Sequence, residues 1–182
     1  MRQLIRLVLP LVVLGSCSTS SSLPIAAGKK TMADSADQVI FGSHTLITDR
    51  GLLRASIDSD TAFFFDDNTR VEMVIVNGIF FSSSGAKDAV MSSMFGSFNN
   101  RLGMLEARKE VLVSSVDGRT LKTPYLRFDQ RTNQMSSDSA FTLTEPGRNL
   151  VGIGFKSDAD LQNIVVVKLI SSKAGTVALP EK

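Results

Sequence analysis

Ala62-Phe63-Phe64-Phe65-Asp66-Asp67-Asn68-Thr69 returns as Phe95-Gly96-Ser97-Phe98-Asn99-Asn100-Arg101-Leu102, then as Tyr125-Leu126-Arg127-Phe128-Asp129-Gln130-Arg131-Thr132. A fainter fourth copy is Gly154-Phe155-Lys156-Ser157-Asp158-Ala159-Asp160-Leu161. An aromatic closes an apolar stretch, Asp or Asn follows, and a polar turn precedes the next run. The spacing is about thirty residues, and recurrence at such a period marks units that bury their apolar faces only by stacking on neighbours. Each period has room for two strands, so the core grows by addition.

The text between the copies is strand-like. Val71-Glu72-Met73-Val74-Ile75-Val76 is β-rich, and Leu105-Glu106-Ala107-Arg108-Lys109-Glu110-Val111-Leu112-Val113 mixes alternation with charges, as a strand with one wet face does. Leu121 to Phe128 alternates too, with Pro124 implying a bulge or a break in the ladder. Phe141-Thr142-Leu143-Thr144, Leu150 to Phe155 and Ile164 to Leu169 complete the set. Ala86 to Met94 fits helix or twisted strand and is read as strand. Asp117-Gly118 is a two-residue hairpin candidate. Sequential hairpins predict an all-β antiparallel meander.

The ends carry other information. Arg2 and Arg6 flank a short apolar core, Leu7 to Leu14, so residues 1–16 read as a secretory signal too short to span a bilayer stably. Cys17, the sole cysteine, follows Leu14-Gly15-Ser16 as in a bacterial lipoprotein processing site, where the thiol is acylated. Several acyl chains on one residue hold a protein firmly to a membrane. Residues 17–36, rich in serine, read as a lipidated tether, 37–177 as one domain, and 178–182 as a tail. One cysteine excludes an internal disulfide and a thiolate metal site. A net charge of +2 supplies no field for nucleic acid.

Catalytic chemistry finds little support. His44 is the only histidine, and it reads as a polar position on the first strand. Asp66-Asp67-Asn68 and Asp158-Ala159-Asp160 lack the glycine pattern of a calcium loop and read as turn formers. No phosphate-binding glycine loop and no cofactor motif stands in the sequence. A non-enzyme is expected. The apolar inventory is eleven phenylalanines and seven methionines with no tryptophan, an adaptable filling. Composition alone is met by a closed core. A repeat-built sheet that does not close has open ends, and the trough between its layers can take a linear apolar ligand.

Four segments carry a family resemblance: Arg54 to Ala62 with Phe65-Asp66, Gly118 to Asp129, Ser137 to Leu143, and Gly152 to Asp158. In order and spacing they resemble the LptC family of periplasmic lipopolysaccharide-export proteins, related to LptA and OstA, over roughly Gln38 to Ile170. The resemblance implies an open β-jelly-roll, a twisted half-pipe of two facing antiparallel sheets. It implies a lipid conduit that takes lipopolysaccharide from an inner-membrane ABC transporter and passes it to an LptA-like periplasmic bridge protein. Lipid A acyl chains would lie in the trough. On strand alternation its lining would include Phe65, Val71, Met73, Ile75 and Phe98, then Val111, Val113, Leu126 and Phe128, then Phe141, Leu143 and Ile153. A single bulge reverses that parity. The strand with Ile164, Val165, Val166 and Val167 would pair with the bridge protein, and the strand near Val39 to Ile47 would face the transporter. One departure stands out: better-known members carry a transmembrane anchor, and here Cys17 takes its place. Family membership favours the inner membrane, while Ser18 after the cysteine is a signal for the outer one.

Overall fold

The computed structural model describes residues 31–82 and 84–174. Nine strands follow one another: β1 Gln38–Asp49, β2 Leu52–Phe65, β3 Arg70–Phe81, β4 Lys87–Asn99, β5 Met104–Ser115, β6 Thr120–Asp129, β7 Gln134–Glu145, β8 Arg148–Asp158 and β9 Val165–Ala174. Each pairs antiparallel with its neighbours in sequence, giving one open sheet in the order β1 to β9. There is no helix among the described residues. The Ala86–Met94 patch is strand, inside β4. The Asp117-Gly118 reading needs correction: Ser115 and Thr120 end their strands with four residues between them, and the Ser115 amide bonds the Arg119 carbonyl.

The sheet becomes a half-pipe because every strand changes course at the same level. Gly42, Ile75, Lys109, Glu110 and Gly154 are left-handed in the middle of β1, β3, β5 and β8. Ladder shifts stand beside them at Ser92/Phe95, Arg108/Val111, Lys122/Arg127 and Ser137/Ala140. Following the register across, these points form one line from Gly42 past Ile75, Met94, Lys109 and Pro124 to Gly154 and Val167. Pro124, with no N–H to give the ladder, sits on that line. One side of the line holds the half-strands that end in the repeated phrases; the other holds the opposite halves.

The two halves face each other across an apolar interior. On the phrase side one cross-strand row runs Val71, Phe98, Leu105, Phe128, Met135, Ser157. On the other side the matching row runs Ile57, Gly78, Met91, Val113, Leu121, Leu143, Leu150. Phe80 stands between Ala55 and Ala89 on adjacent strands, which leaves its ring free to reach the opposite layer. There it meets Phe128, with ring centroids 4.7 Å apart and planes tilted by 57°. These strands are three places apart in the sheet, so the contact spans the interior.

The repeated phrase has a structural meaning at the turns. Asn99 Oδ1 accepts the Leu102 amide (2.9 Å), Asp129 Oδ1 the Arg131 amide (2.9 Å) and Asp158 Oδ1 the Gln162 amide (2.9 Å). Successive turns are also stitched together: the Asn100 amide bonds the Thr69 carbonyl (2.9 Å) and the Gln130 amide the Gly103 carbonyl (3.0 Å). The carboxylate or amide ends each rung and turns the chain towards the next.

The bend makes a contrast that can be measured. A Cβ at Gly154 would lie 3.1 Å from Val167 Cβ at a φ of +72°, so Gly154→Ala is expected to lower stability by about 1–2 kcal/mol. Ile75→Gly relieves a β-branched residue of a φ of +52° while removing an exposed side chain, and is expected to stay within about 0.5 kcal/mol of the parent. Urea denaturation of the two variants separates these outcomes.

Candidate functional site

The candidate site is the interior of the half-pipe with the two sheet edges that bound it. Phe65 is buried outside the core, opposite Arg70 on the outer side of the ladder and beneath the Arg70 guanidinium (4.1 Å to the ring centroid), while Phe64 packs on the core. Nine of the twelve residues expected inside are there, none more than 6% exposed: Val71, Met73, Phe98, Val111, Val113, Leu126, Phe128, Phe141 and Leu143. Ile75 and Ile153 are not. They lie on the outer face, 53% and 38% exposed, and both stand at the bend. On β3 the inward set is Val71 and Met73 before the bend, then Val76, Gly78 and Phe80 after it. The left-handed Ile75 shifts the alternation by one and throws its own side chain outward. On β8 the inward set changes from Leu150 and Gly152 to Phe155 and Ser157, and Gly154 makes the change.

The predicted lining left out most of the largest fully buried side chains, among them Phe155, Ile57, Leu105, Leu121 and Met135, and two of the omissions bear on the site. Phe80 is fully buried on β3 and forms the contact with Phe128. Leu161 lies in the β8–β9 connector and is also fully buried. Its only sequence signal is an apolar residue inside a polar turn. The interior is filled by its own side chains; Phe141 and Phe155 add an edge-on ring pair at 5.1 Å. A cleft of about 580 Å³ lies instead on the outer face, on the row Leu112, Lys122, Thr142, Val151 and beside Pro124.

The edges are open. Among the described residues no strand pairs with the outer side of β1 or of β9. Val165 and Val167 are 69% and 78% exposed, whereas Ile164 and Val166 turn inward and pack on the core. On β1, Phe41 is 78% exposed. Unpaired edge strands with exposed apolar side chains are pairing templates.

The outer face is polar and cross-linked. Glu72 is bonded by Arg70 of its own strand β3 (3.2 Å) and by Arg108 of β5 (2.7 Å). Arg127 lies 3.4 Å from Glu106 and donates to the Tyr125 hydroxyl (3.2 Å). Burial, then the neighbouring Glu106, push that phenol above its ordinary range. His44 meets Asp58 directly opposite on β2 (Nδ1 to Oδ1 2.7 Å), with both side chains more than half exposed. This is a cross-strand surface pair on an open face. Cys17 lies outside the described residues.

A single open meander folded into an apolar half-pipe defines an all-β protein with two unpaired sheet edges among the described residues. The chain belongs to the family described as lipopolysaccharide-assembly, LptC-related, which matches residues 7–172. Its role is accordingly in lipopolysaccharide transport at the cell envelope, in a family of transport and bridge proteins. Comparison with individually curated proteins returns no match.

The ring contact across the interior gives the next expectation. Phe80→Ala or Phe128→Ala costs about 3–5 kcal/mol, as deleting a buried aromatic does. In a double-mutant cycle the two are expected to be non-additive by about 0.5–1.5 kcal/mol. Additive losses would place the rings in independent sub-cores.

Proposed function

We propose that the protein is a non-enzymatic lipid-conduit subunit of lipopolysaccharide export. It takes lipopolysaccharide from an inner-membrane ABC transporter and passes it along a periplasmic β-bridge. The observation that carries this reading is an apolar interior that runs across all nine strands between two unpaired edges. In this reading β1 faces the transporter, and β9, with Val165 and Val167 exposed, extends the sheet into an LptA-like partner. Acylated Cys17 tethers the domain to the membrane, the inner one by family, with Ser18 as the residue that argues for the outer one.

Acyl chains must replace side-chain contacts to enter. That exchange of apolar surface for apolar surface has little net cost of its own, since water is excluded on both sides of it. The cost lies in parting the layers, and the shared bend localises that motion to about one position per strand. Photo-crosslinkers at Met73, Val111, Phe128 and Phe141 are expected to capture lipopolysaccharide in export-active cells, and those at Ile75 and Ile153 are not. Capture from the outer positions alone sinks the conduit. A second reading, a structural envelope lipoprotein with a permanently closed core, draws support from the Phe80–Phe128 contact. Folded, membrane-bound protein with no capture at any inward position would establish it.

Cys17→Ser is expected to move the protein from the membrane to the soluble fraction of the envelope. Retention in the membrane fraction after a high-salt wash would show that something other than the lipid holds it.

A further inference from the structure

The fourth copy of the repeated phrase is the degenerate one, and its degeneracy leaves a gap. Ser157 occupies the cross-strand row in which Phe98 and Phe128 stand. The β8–β9 connector, residues 159–164, contributes apolar side chains to the core beside that strand end. Ala159 and Leu161 belong to the core, 1% and 0% exposed, and Ile164 packs against it. Leu161 is held at a φ of +62°, a costly conformation for leucine that persists only where the surroundings impose it.

The clamp that imposes it is the Asp158 carboxylate. It accepts the Gln162 amide (2.9 Å), the Asn163 amide (3.1 Å) and the Asn163 side-chain amide (2.5 Å). The Gln162 amide also reaches Asp160 Oδ1 (3.0 Å). The connector lies at the rim of one half of the pipe. Asp88, which acts on both Asp158 and Asp160, opens β4 at the rim of the other half, four strands away in the sheet. The connector therefore lies at the rim of the open side, where the two layers part, with Ala159 and Leu161 turned into the core.

We propose that the β8–β9 connector is a latch over the open side of the half-pipe, seated by Leu161 and clamped on Asp158, which lifts to let an acyl chain between the layers. The proposal rests on the conduit reading given above. The charged groups acting on Asp160 are Asp158 on β8 and Asp88 on β4, and Lys156 borders the depression beside Asp158 and Asn163. Burial, then the hydrogen bond shared with Asp158, push Asp160 up to about 6. Burial also pushes Asp158 up, but bonds from Asp160, Asn163 and Gln162 outweigh it and hold it low. Burial and Asp158 raise Asp88. A carboxyl raised in the closed state favours closure when protonated and loses that contribution as pH rises through its folded pKa. The latch is thus tight near pH 5 and loosened by three mutually repelling carboxylates above about 6.

Hydrogen exchange on the full chain reads the latch directly, with rates corrected for the intrinsic effect of pH. The Gln162 and Asn163 amides are expected to open independently of β8 and β9, with protection several-fold higher at pH 5 than at pH 7.5. Asp160→Asn, which mimics the protonated acid, is expected to keep high protection at both. A photoreactive dodecanoate then probes the interior: labelling of β3 and β6 is expected to fall in Asp160→Asn and rise in Leu161→Ser. If Leu161→Ser does not fold, Asp158→Asn supplies the loosened variant. Exchange of the two amides only together with β8 and β9, or an unchanged pH response in Asp160→Asn, overturns the latch and leaves the conduit standing. Independent opening with no interior labelling in any variant overturns the conduit, and the latch as a lipid gate falls with it.

Discussion

Everything in this fold depends on nine strands bending at one level. A meander of flat strands would expose one apolar face along its whole length, and no other element among the described residues is available to cover it. Bending each strand at its midpoint lets one half of the sheet cover the other half. The bend must line up, because a strand that turned one residue early would present its polar face to the interior. Different residues meet that demand: glycine in β1 and β8, a left-handed Ile75 in β3, the Lys109-Glu110 pair in β5, and Pro124 in β6. What is common to them is position in the register. Residue type varies because several local devices give the same change of direction.

The bend also decides what could be read from the chain. The aromatic-Asp/Asn phrase is visible because each of its parts has a local cause: the aromatic fills the interior and the next residue caps the turn. Nine interior positions follow from strand alternation on each side of the bend. Ile75 and Ile153 do not, because Ile75 is itself the left-handed residue that breaks the alternation set by Val71 and Met73, and Gly154 breaks it between Ile153 and Phe155. Nothing in the text Val74-Ile75-Val76 announces a left-handed residue, and a β-branched side chain argues against one. Pro124 is the legible break. Phe80 escaped for a different reason. Its reach across the interior depends on Ala55 and Ala89 beside it, and those neighbours come together only once the sheet is registered.

The packed interior follows from the physics of apolar surfaces. An empty trough lined by phenylalanine and methionine would hold water against hydrocarbon, or collapse until it did not. Collapse here is orderly, because the layers are joined along the bend and meet through a few large side chains such as Phe80 and Phe128. The sheet edges remain outside this closure. The unpaired ladder groups of β9 are separate from the contacts that close the interior.

The fourth copy of the repeat shows how a stacked architecture ends. A terminal unit has a neighbour on one side only, and sequence drift there is expected. In this chain Ser157 stands in the row that holds Phe98 and Phe128, and Leu161 is buried from the turn. An aromatic within β8 would be fixed by its ladder and could leave the core only with the whole strand. A leucine on a six-residue connector is held by Asp158 and by its own burial, and both holds can be released without breaking a β8–β9 ladder bond. Substituting a connector side chain for a strand side chain thus converts a permanent piece of the core into a removable one, placed where the two layers part.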